Sequence, residues 1–467
     1  MTNEAGTPML EVGQRIEPLE IIDMTVQGGG VARHQGQVVF LESGILGETV
    51  AARVTQVKKR VVQASVEEVL SPSPHAVAPT CPHFALCGGC SWQNLSLAAQ
   101  HEWKQRHVRE TLARIGKTVV DVAPVAASPL SLGFRNKVAF AFAKGPEGTP
   151  VLGLRQKGSH NLVEVDHCPL LPERGRAVLQ AVRQLLEARP IPAYSGPEGY
   201  LRFLVLHLPQ YAPEGLEQCV VEIITAPANF AGNKQYVEPV HILADALVAN
   251  TELGISGVAH TQRKDRAAIA QGEKVVYVAG VGAYLEEIGH ITLSAPHSVF
   301  LQTNTGAAGV LFAAVAEAAA LTGEEKVWDL YCGVGSVGLF LGEKAASVRG
   351  FDIQPEAVGA ANSNAKRLKL RRCKFKAGEM EKLLGAEEET PDVIVVDPPR
   401  AGLDAAVVRI LRESTAKKLI YISCDIGTQA RDVALLQPWW QAERAIPVDM
   451  FPHTPHVENI LVLTRQS

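Results

Sequence analysis

The chain lacks most of the features that would settle its class at a glance. Its N-terminus, MTNEAGTPMLEVG, has no basic start followed by an apolar run, so no secretory signal is expected. No uninterrupted apolar stretch is long enough to span a bilayer: the longest candidate, from Ala307 to Leu321, is broken by Glu317 and reads as a buried helix. Cysteine is sparse, eight in 467 residues, too few for a disulfide scaffold. There is no surplus of positive charge. The formal net charge is −4, against the basic balance usual for nucleic-acid binders, although a local basic face is what such binding needs. Tandem repeats and low-complexity tracts are also absent. These absences point to a cytoplasmic protein with no membrane partner.

The 46% hydrophobic and 20% charged content describes a globular chain with real cores, and its length calls for two to four domains. Residues from about 10 to 72 read as short strands separated by glycine turns, including Gly28, Gly29 and Gly30, which suits a small β-barrel. SPSPHAVAP is a linker. Residues 75–299 read as a mixed α+β domain containing a cysteine cluster, with a charged helix over about 97–116 expected to pack on the last domain. From 300 to 467, strand-like and helical runs alternate, the pattern of a Rossmann-like α/β domain with a mostly parallel sheet.

Ligands of such sheets bind beyond the carboxyl ends of the strands. There the sequence places DLYCGVGSVG (Asp329 to Gly338), Asp352, Asp397-Pro398-Pro399-Arg400 and Ser423-Cys424-Asp425. The glycine stretch alone fits NAD, FAD or S-adenosylmethionine, or an ordinary tight turn. Asp352 is placed for ribose hydroxyls, and the Asp-Pro-Pro loop leans toward S-adenosylmethionine; the same loop also suits a helix start. Cys424, before a helix expected over Thr428–Leu436, lies where a helix dipole would lower a thiol pKa.

A methyltransferase needs such a thiol when the carbon to be methylated is electron-poor. Addition of a thiolate to carbon 6 of uracil puts negative charge on carbon 5, and a base must afterwards remove the carbon-5 proton. Candidates for that base lie in His453-Thr-Pro-His456-Val-Glu458, and Glu458 is the choice. Cys81, Cys87 and Cys90, with Cys168 before a proline, supply four soft ligands that suit an iron–sulfur cluster or zinc about equally. Cys219, Cys332 and Cys373 lack ligand spacing. Basic runs at Lys58-Lys59-Arg60, Phe134–Lys137, Arg263–Arg266 and Lys366–Lys376, the last with seven basic residues in eleven, are candidate phosphate contacts or ordinary solvated faces.

Taken together and in order, these motifs resemble the RNA uracil-5-methyltransferase family, in its branch acting on 23S ribosomal RNA, over nearly the full length. The resemblance implies a TRAM barrel at the N-terminus and a 4Fe–4S cluster on Cys81, Cys87, Cys90 and Cys168. Phe300-Leu-Gln302-Thr-Asn304 resembles the family's F-x-Q-x-N box. It implies S-adenosylmethionine contacts from Gln302, Tyr331, Gly333, Ser336, Asp352 and Asp397, with Cys424 as nucleophile and Glu458 as base. The chain departs from the family in having Ser-Cys-Asp-Ile at residues 423–426 for Ser-Cys-Asn-Pro, Asp352 for a common Glu, and Ser336 for an Asn in some members. A monomer acting on RNA is expected. Transfer RNA is the alternative target, and the rivals of another class are an iron–sulfur dinucleotide oxidoreductase and a non-catalytic RNA-binding or iron-sensing protein.

Overall fold

The computed structural model describes residues 10–58, 61–196, 198–213, 218–230 and 232–466. Its contacts divide the chain into two units. The first is residues 1–104 together with Phe451–His456; the second is Gln105–Met450 with Val457–Ser467.

In the first unit, β1 (Arg15–Met24), β2 (Gly30–His34), β3 (Gln37–Leu41), β4 (Thr49–Lys58) and β5 (Val61–Ser71) close into a barrel in the order β1-β2-β3-β5-β4. Ile16, Leu19, Ile21, Val39, Leu41, Val50, Ala52, Val54 and Val62 fill it, the inward members of alternating strands. The β1–β2 turn shows why glycines recur there. A Cβ on Gly29 would stand 2.1 Å from the Leu41 carbonyl oxygen, and one on Gly28 2.4 Å from the Ser91 Cβ. The cysteine segment is therefore packed against the barrel. Trp92 and Trp103 meet edge to face at 4.8 Å in a cluster with Met24, Ile45, Leu95 and Ala99, and the Trp103 indole donates to Asp23 Oδ1. The Phe451–His456 loop is held here too. His453 O accepts from Ser91 N and Trp92 N, His453 N donates to Gln100 Oε1, and the buried Lys104 ammonium donates to Phe451 O. Helix α1 (Leu97–Arg114) contains the boundary between the units.

In the second unit, β6 (Asp121–Val122) precedes an α+β region built on β7 (Lys137–Lys144), β8 (Pro150–Arg155), β9 (Leu162–Glu164), α2 (Glu173–Ala188), β10 (Leu201–His207), β11 (Cys219–Thr225), α3 (Val237–Ala249), β12 (Ile255–Gln262) and β13 (Lys274–Gly280). The seven strands run β13-β12-β11-β10-β7-β8-β9. Val178, Leu179, Val182 and Leu186 of α2 and Val240, Leu243 and Leu247 of α3 pack on Phe140, Leu204, Leu206, Val221 and Ile223. A hairpin follows, β14 (Ala283–Ile288) and β15 (Ile291–Pro296).

The last part runs α4 (Thr305–Ala319), β16 (Lys326–Leu330), α5 (Ser336–Leu341), β17 (Ser347–Asp352), α6 (Pro355–Arg367), β18 (Cys373–Ala377), α7 (Met380–Gly385), β19 (Val393–Val396), α8 (Ala405–Glu413), β20 (Lys418–Ser423), α9 (Ile426–Leu436), β21 (Trp440–Val448) and β22 (Glu458–Arg465). The strand order is β18-β17-β16-β19-β20-β22-β21-β6, with β16 to β20 parallel and β22 antiparallel to β20. The order reverses between β16 and β19, so the strand ends there open a crevice. Val108 and Leu112 of α1 join the core of this sheet beside Ala430, Leu436 and Leu461. The two-residue β6 on the far edge, paired with β21, has no signature in the sequence. Among the described residues no helix is long and apolar enough to cross a membrane.

Candidate active site

Every strand-end group singled out in the sequence falls on one rim of the eight-stranded sheet. Leu330 pairs with Val396, so Tyr331 and Asp397 follow as the next residues beyond β16 and β19; Asp397 N donates to Leu330 O. Tyr331 has φ 63°, a left-handed backbone unusual for a tyrosine and the kind of local strain found at functional turns. The glycine loop follows. Gly335 has φ 78° and faces Phe375, where a Cβ would be 2.9 Å from the ring. Gly338 lies against Asp329, whose Oδ2 accepts its N–H at 2.9 Å. Gly333 differs: it has φ 53° and no heavy atom within 4 Å of where a Cβ would be, so its surface is open to a ligand.

Asp352 fixes this loop, accepting from Gly333 N through Oδ2 and from Gln354 N through Oδ1, both at 2.9 Å. A carboxylate has further lone pairs, which leaves capacity for ribose hydroxyls. Ser336, half-buried, begins α5 just after Gly335. Gln302 is half-buried, and its carbonyl accepts from Asn136 Nδ2, which also donates to Thr305 Oγ1 at 2.7 Å. Asn304 is the N-cap of α4: its Oδ1 accepts from Ala307 N, and its Nδ2 donates to Ser128 Oγ and Met450 O. The F-x-Q-x-N box is thus anchored through the Gln302 backbone carbonyl and the Asn304 side chain, while Phe300 stands 64% exposed.

The nucleophile and base candidates meet through strand register. Ser423 of β20 pairs with Asn459 of β22, and Val448 of β21 pairs with Glu458. Cys424 follows Ser423 and Glu458 precedes Asn459 in antiparallel strands, so they occupy neighbouring cross-strand positions, where Cα atoms are about 4.5–5.5 Å apart. Glu458 is no surface carboxylate: it is 5% exposed, and burial pushes its pKa well above the ordinary range, reinforced by Asp397 and opposed by Arg400. Burial likewise raises Asp397. Asp329, buried behind them, is pushed up to about 7 by desolvation and then by Asp397 and Asp352.

One expectation is corrected. The Cys424 thiol is not lowered by the helix that follows it. It is pushed up to about 11, first by burial, then by Glu458 and Asp397, with Arg400 acting in the opposite direction. The helix begins at Ile426, capped by Asp425, whose Oδ1 accepts from Thr428 N; a carboxylate occupies the helix terminus that was to have stabilised a thiolate. Arg400 is therefore the favourable charge here. The Asp397-Pro-Pro-Arg400 run carries that signal in the sequence.

The other candidates divide. Cys81, Cys87 and Cys90 belong to the first unit and Cys168 to the second, all half-buried thiols. Gly89 N lies 3.4 Å from Cys87 Sγ, and Gln93 Nε2 lies 3.5 Å from Cys90 Sγ, donor contacts of the kind that surround ligand sulfurs. Among the described residues no three His, Cys, Asp or Glu side chains are drawn together as a metal site. His453 and His456 lie in the loop that belongs to the first unit. Of the basic runs, Lys59 and Arg60 fall outside the described residues. Asn136 is buried behind Gln302. Arg263 is buried and donates to Asp265 and Gln271 O. Lys366–Lys376 is exposed along the end of α6 and the edge strand β18, where lysines also discourage edge pairing.

The raised Glu458 pKa has a measurable consequence. Its neutral form is favoured in the fold, so its contribution to stability is fullest below the ordinary carboxylate range and is lost as pH rises through the raised value. Glu458→Gln escapes that loss. Thermal unfolding across a pH series should show the variant's midpoint gaining on wild type as pH rises; a gap that does not change with pH would count against the buried carboxylate.

Comparison with known proteins agrees with this fold. The model of tRNA (uracil-5-)-methyltransferases matches residues 289–466, and that of the TRAM domain matches residues 11–66. An uncharacterised RNA methyltransferase of Nitratidesulfovibrio vulgaris is 39% identical, over 95% of both chains. Another, from Bacillus anthracis, is 32% identical over 97% of this chain and 98% of its own. The crystal structure of Pyrococcus abyssi tRNA (uracil-54, C5)-methyltransferase, solved with S-adenosyl-L-homocysteine, superposes with a TM-score of 0.74. It shares 25% identity and covers 96% of this chain and all of that one. With likeness of this extent, and with cofactor loop, thiol and carboxylate on one rim, the chain belongs to the RNA uracil-5-methyltransferase family and is an S-adenosylmethionine-dependent RNA methyltransferase.

Proposed function

We propose that the protein methylates carbon 5 of a uridine in 23S ribosomal RNA through a covalent adduct between Cys424 and carbon 6 of the base. The observation that carries this reading is the cross-strand placement of Cys424 beside the buried Glu458, on the rim that holds the Gly333 loop.

The target base must be unstacked to reach a half-buried thiol, and the exposed Phe300 beside Gln302 offers it an aromatic face. Cys424 adds as thiolate to carbon 6, forming the C–S bond and an enolate whose charge reaches carbon 5. When bound, S-adenosylmethionine supplies the methyl group, as an electrophile, to that carbon. Glu458, as carboxylate, then takes the carbon-5 proton, the C5–C6 double bond reforms, and the thiolate leaves. Gln302, Tyr331, Gly333, Ser336, Asp352 and Asp397 would hold the cofactor; the open surface of Gly333 and the spare lone pairs of Asp352 suit it. Cys424 and Glu458 both act deprotonated and both titrate high, so the chemical step should accelerate as pH rises through neutrality.

Cys81, Cys87, Cys90 and Cys168 would hold a 4Fe–4S cluster with a structural role, since methyl transfer involves no net oxidation or reduction. Four half-buried thiols, two with N–H donors at sulfur, are the supporting chemistry. The cysteine set together with the barrel favours ribosomal RNA. A second reading, transfer RNA, is favoured by the Pyrococcus abyssi neighbour, whose substrate is a tRNA uridine.

RNA containing 5-fluorouridine should trap the protein as a methylated covalent adduct, because fluorine cannot leave as a proton. Cys424→Ala should abolish the adduct on denaturing gels, and its persistence would remove Cys424 as nucleophile. Mapping of 5-methyluridine in cells lacking the protein should show loss from 23S RNA; loss from tRNA alone would establish the second reading. Cys87→Ser should lower bound iron and acid-labile sulfide in anaerobically purified protein. Unchanged contents would defeat the ligand assignment.

A further inference from the structure

Helix α9 turns two polar side chains into the core, where a helix ordinarily buries apolar ones. Gln429 and Asp432 are three residues apart, hence on one face, and both are fully buried. Gln429 Nε2 donates to Tyr421 O at 2.9 Å and Asn459 O at 3.2 Å, and its Oε1 accepts from Asn459 Nδ2 at 2.7 Å. It therefore ties β20 to β22 just behind Cys424 and Glu458. Asp432 Oδ2 accepts from Leu403 N at 2.8 Å and from the Tyr421 hydroxyl at 2.7 Å. Its Oδ1 accepts from Arg431 Nε at 2.8 Å and Nη2 at 2.6 Å, and Arg431 Nη2 also donates to Ala401 O at 2.9 Å.

The loop from Asp397 to Asp404 closes onto this carboxylate at one residue. Gly402 has φ 81°, and a Cβ there would stand 2.4 Å from Asp432 Oδ2 and 2.5 Å from Arg431 Nη2. Burying an amide and a carboxylate is costly unless their hydrogen-bonding capacity is used. Here the bonds reach three parts of the site: the strand that ends at the thiol, the strand that begins at the carboxylate, and the loop that carries Asp397 and Arg400. The same helix starts at the cap next to Cys424.

We propose that Asp432, by gripping the Ala401–Leu403 turn, is a positioning residue for methyl transfer: it fixes the loop that carries Arg400 beside the end of β20, on the rim where Cys424 follows, so that the thiolate forms amid the surrounding carboxylates. Asp432 is fully buried. It acts through the loop, and Arg431 serves as the second arm of the same grip. The proposal rests on Cys424 being the nucleophile.

The test uses full-length protein in two variants that disturb one contact from opposite sides. Asp432→Asn removes the charge, and Gly402→Ala pushes the turn away without altering α9. The primary readout is the pH dependence of Cys424 alkylation by iodoacetamide, followed by peptide mass spectrometry with no RNA or cofactor present. In both variants the alkylation midpoint should move up by about one unit, which is about tenfold less thiolate at neutral pH. Adduct formation on 5-fluorouridine RNA should slow in proportion, with kcat falling and KM for S-adenosylmethionine little changed. A wild-type alkylation profile in either folded variant overturns the proposal, and so does a kcat loss that only tracks the folded fraction. Gly402→Ala decides alone if Asp432→Asn does not fold. Failure of the nucleophile assignment reads differently: Cys424→Ala would still methylate.

Discussion

The pairing of Ser423 with Asn459 is the constraint on which the site depends. A doubly wound parallel sheet brings every strand end to one rim, and an antiparallel strand added at its side begins at that same rim. The chain thereby brings a residue that ends one strand and a residue that begins another to the same place without a loop from either. Side-chain period in strands is two, so slippage of one residue would turn Glu458 away from Cys424 and bury the wrong neighbours. The fully buried Tyr421, Leu461 and Leu463 make that slip costly. The same hydrophobic packing that makes the sheet stable thus sets the chemistry.

A second constraint is charge. Asp329, Asp397 and Glu458 crowd a poorly solvated space, and each is pushed toward its neutral form. The site proposed to form a thiolate is therefore surrounded by groups that oppose one. Natural sites accept such conflict where function requires it, and the rest of the fold offsets the destabilisation. Glu458, raised by burial, also suits the role of base proposed for it. A base whose pKa lies nearer working pH binds the carbon-5 proton more strongly than an ordinary carboxylate would.

Much of this was legible in the sequence because it is local. Alternating runs gave the parallel sheet, and inspection of strand ends gave Asp352, Asp397 and Cys424 at their observed positions. The helix after Cys424, expected from Thr428, begins two residues earlier at Ile426. What was not legible depends on partners far away in the chain. The shift of Cys424 runs opposite to its expected direction because burial, and then Glu458 thirty-four positions later, push the thiol up. Asn136 looked like part of a basic run, yet it supports Gln302 from 166 residues away. The strand Asp121–Val122 is too short for any periodicity to announce it.

The loop Phe451–His456 gives the first unit a peculiar history. Lys104 and its partner Phe451 are 347 residues apart, and the Ser91 and Trp92 amides find their acceptor at His453. Translation delivers the barrel and the cysteine segment long before that acceptor exists. The first unit is therefore completed by residues made 347 positions after Lys104. Contacts within the barrel unit are thus made by residues that lie just ahead of Glu458 in the sequence.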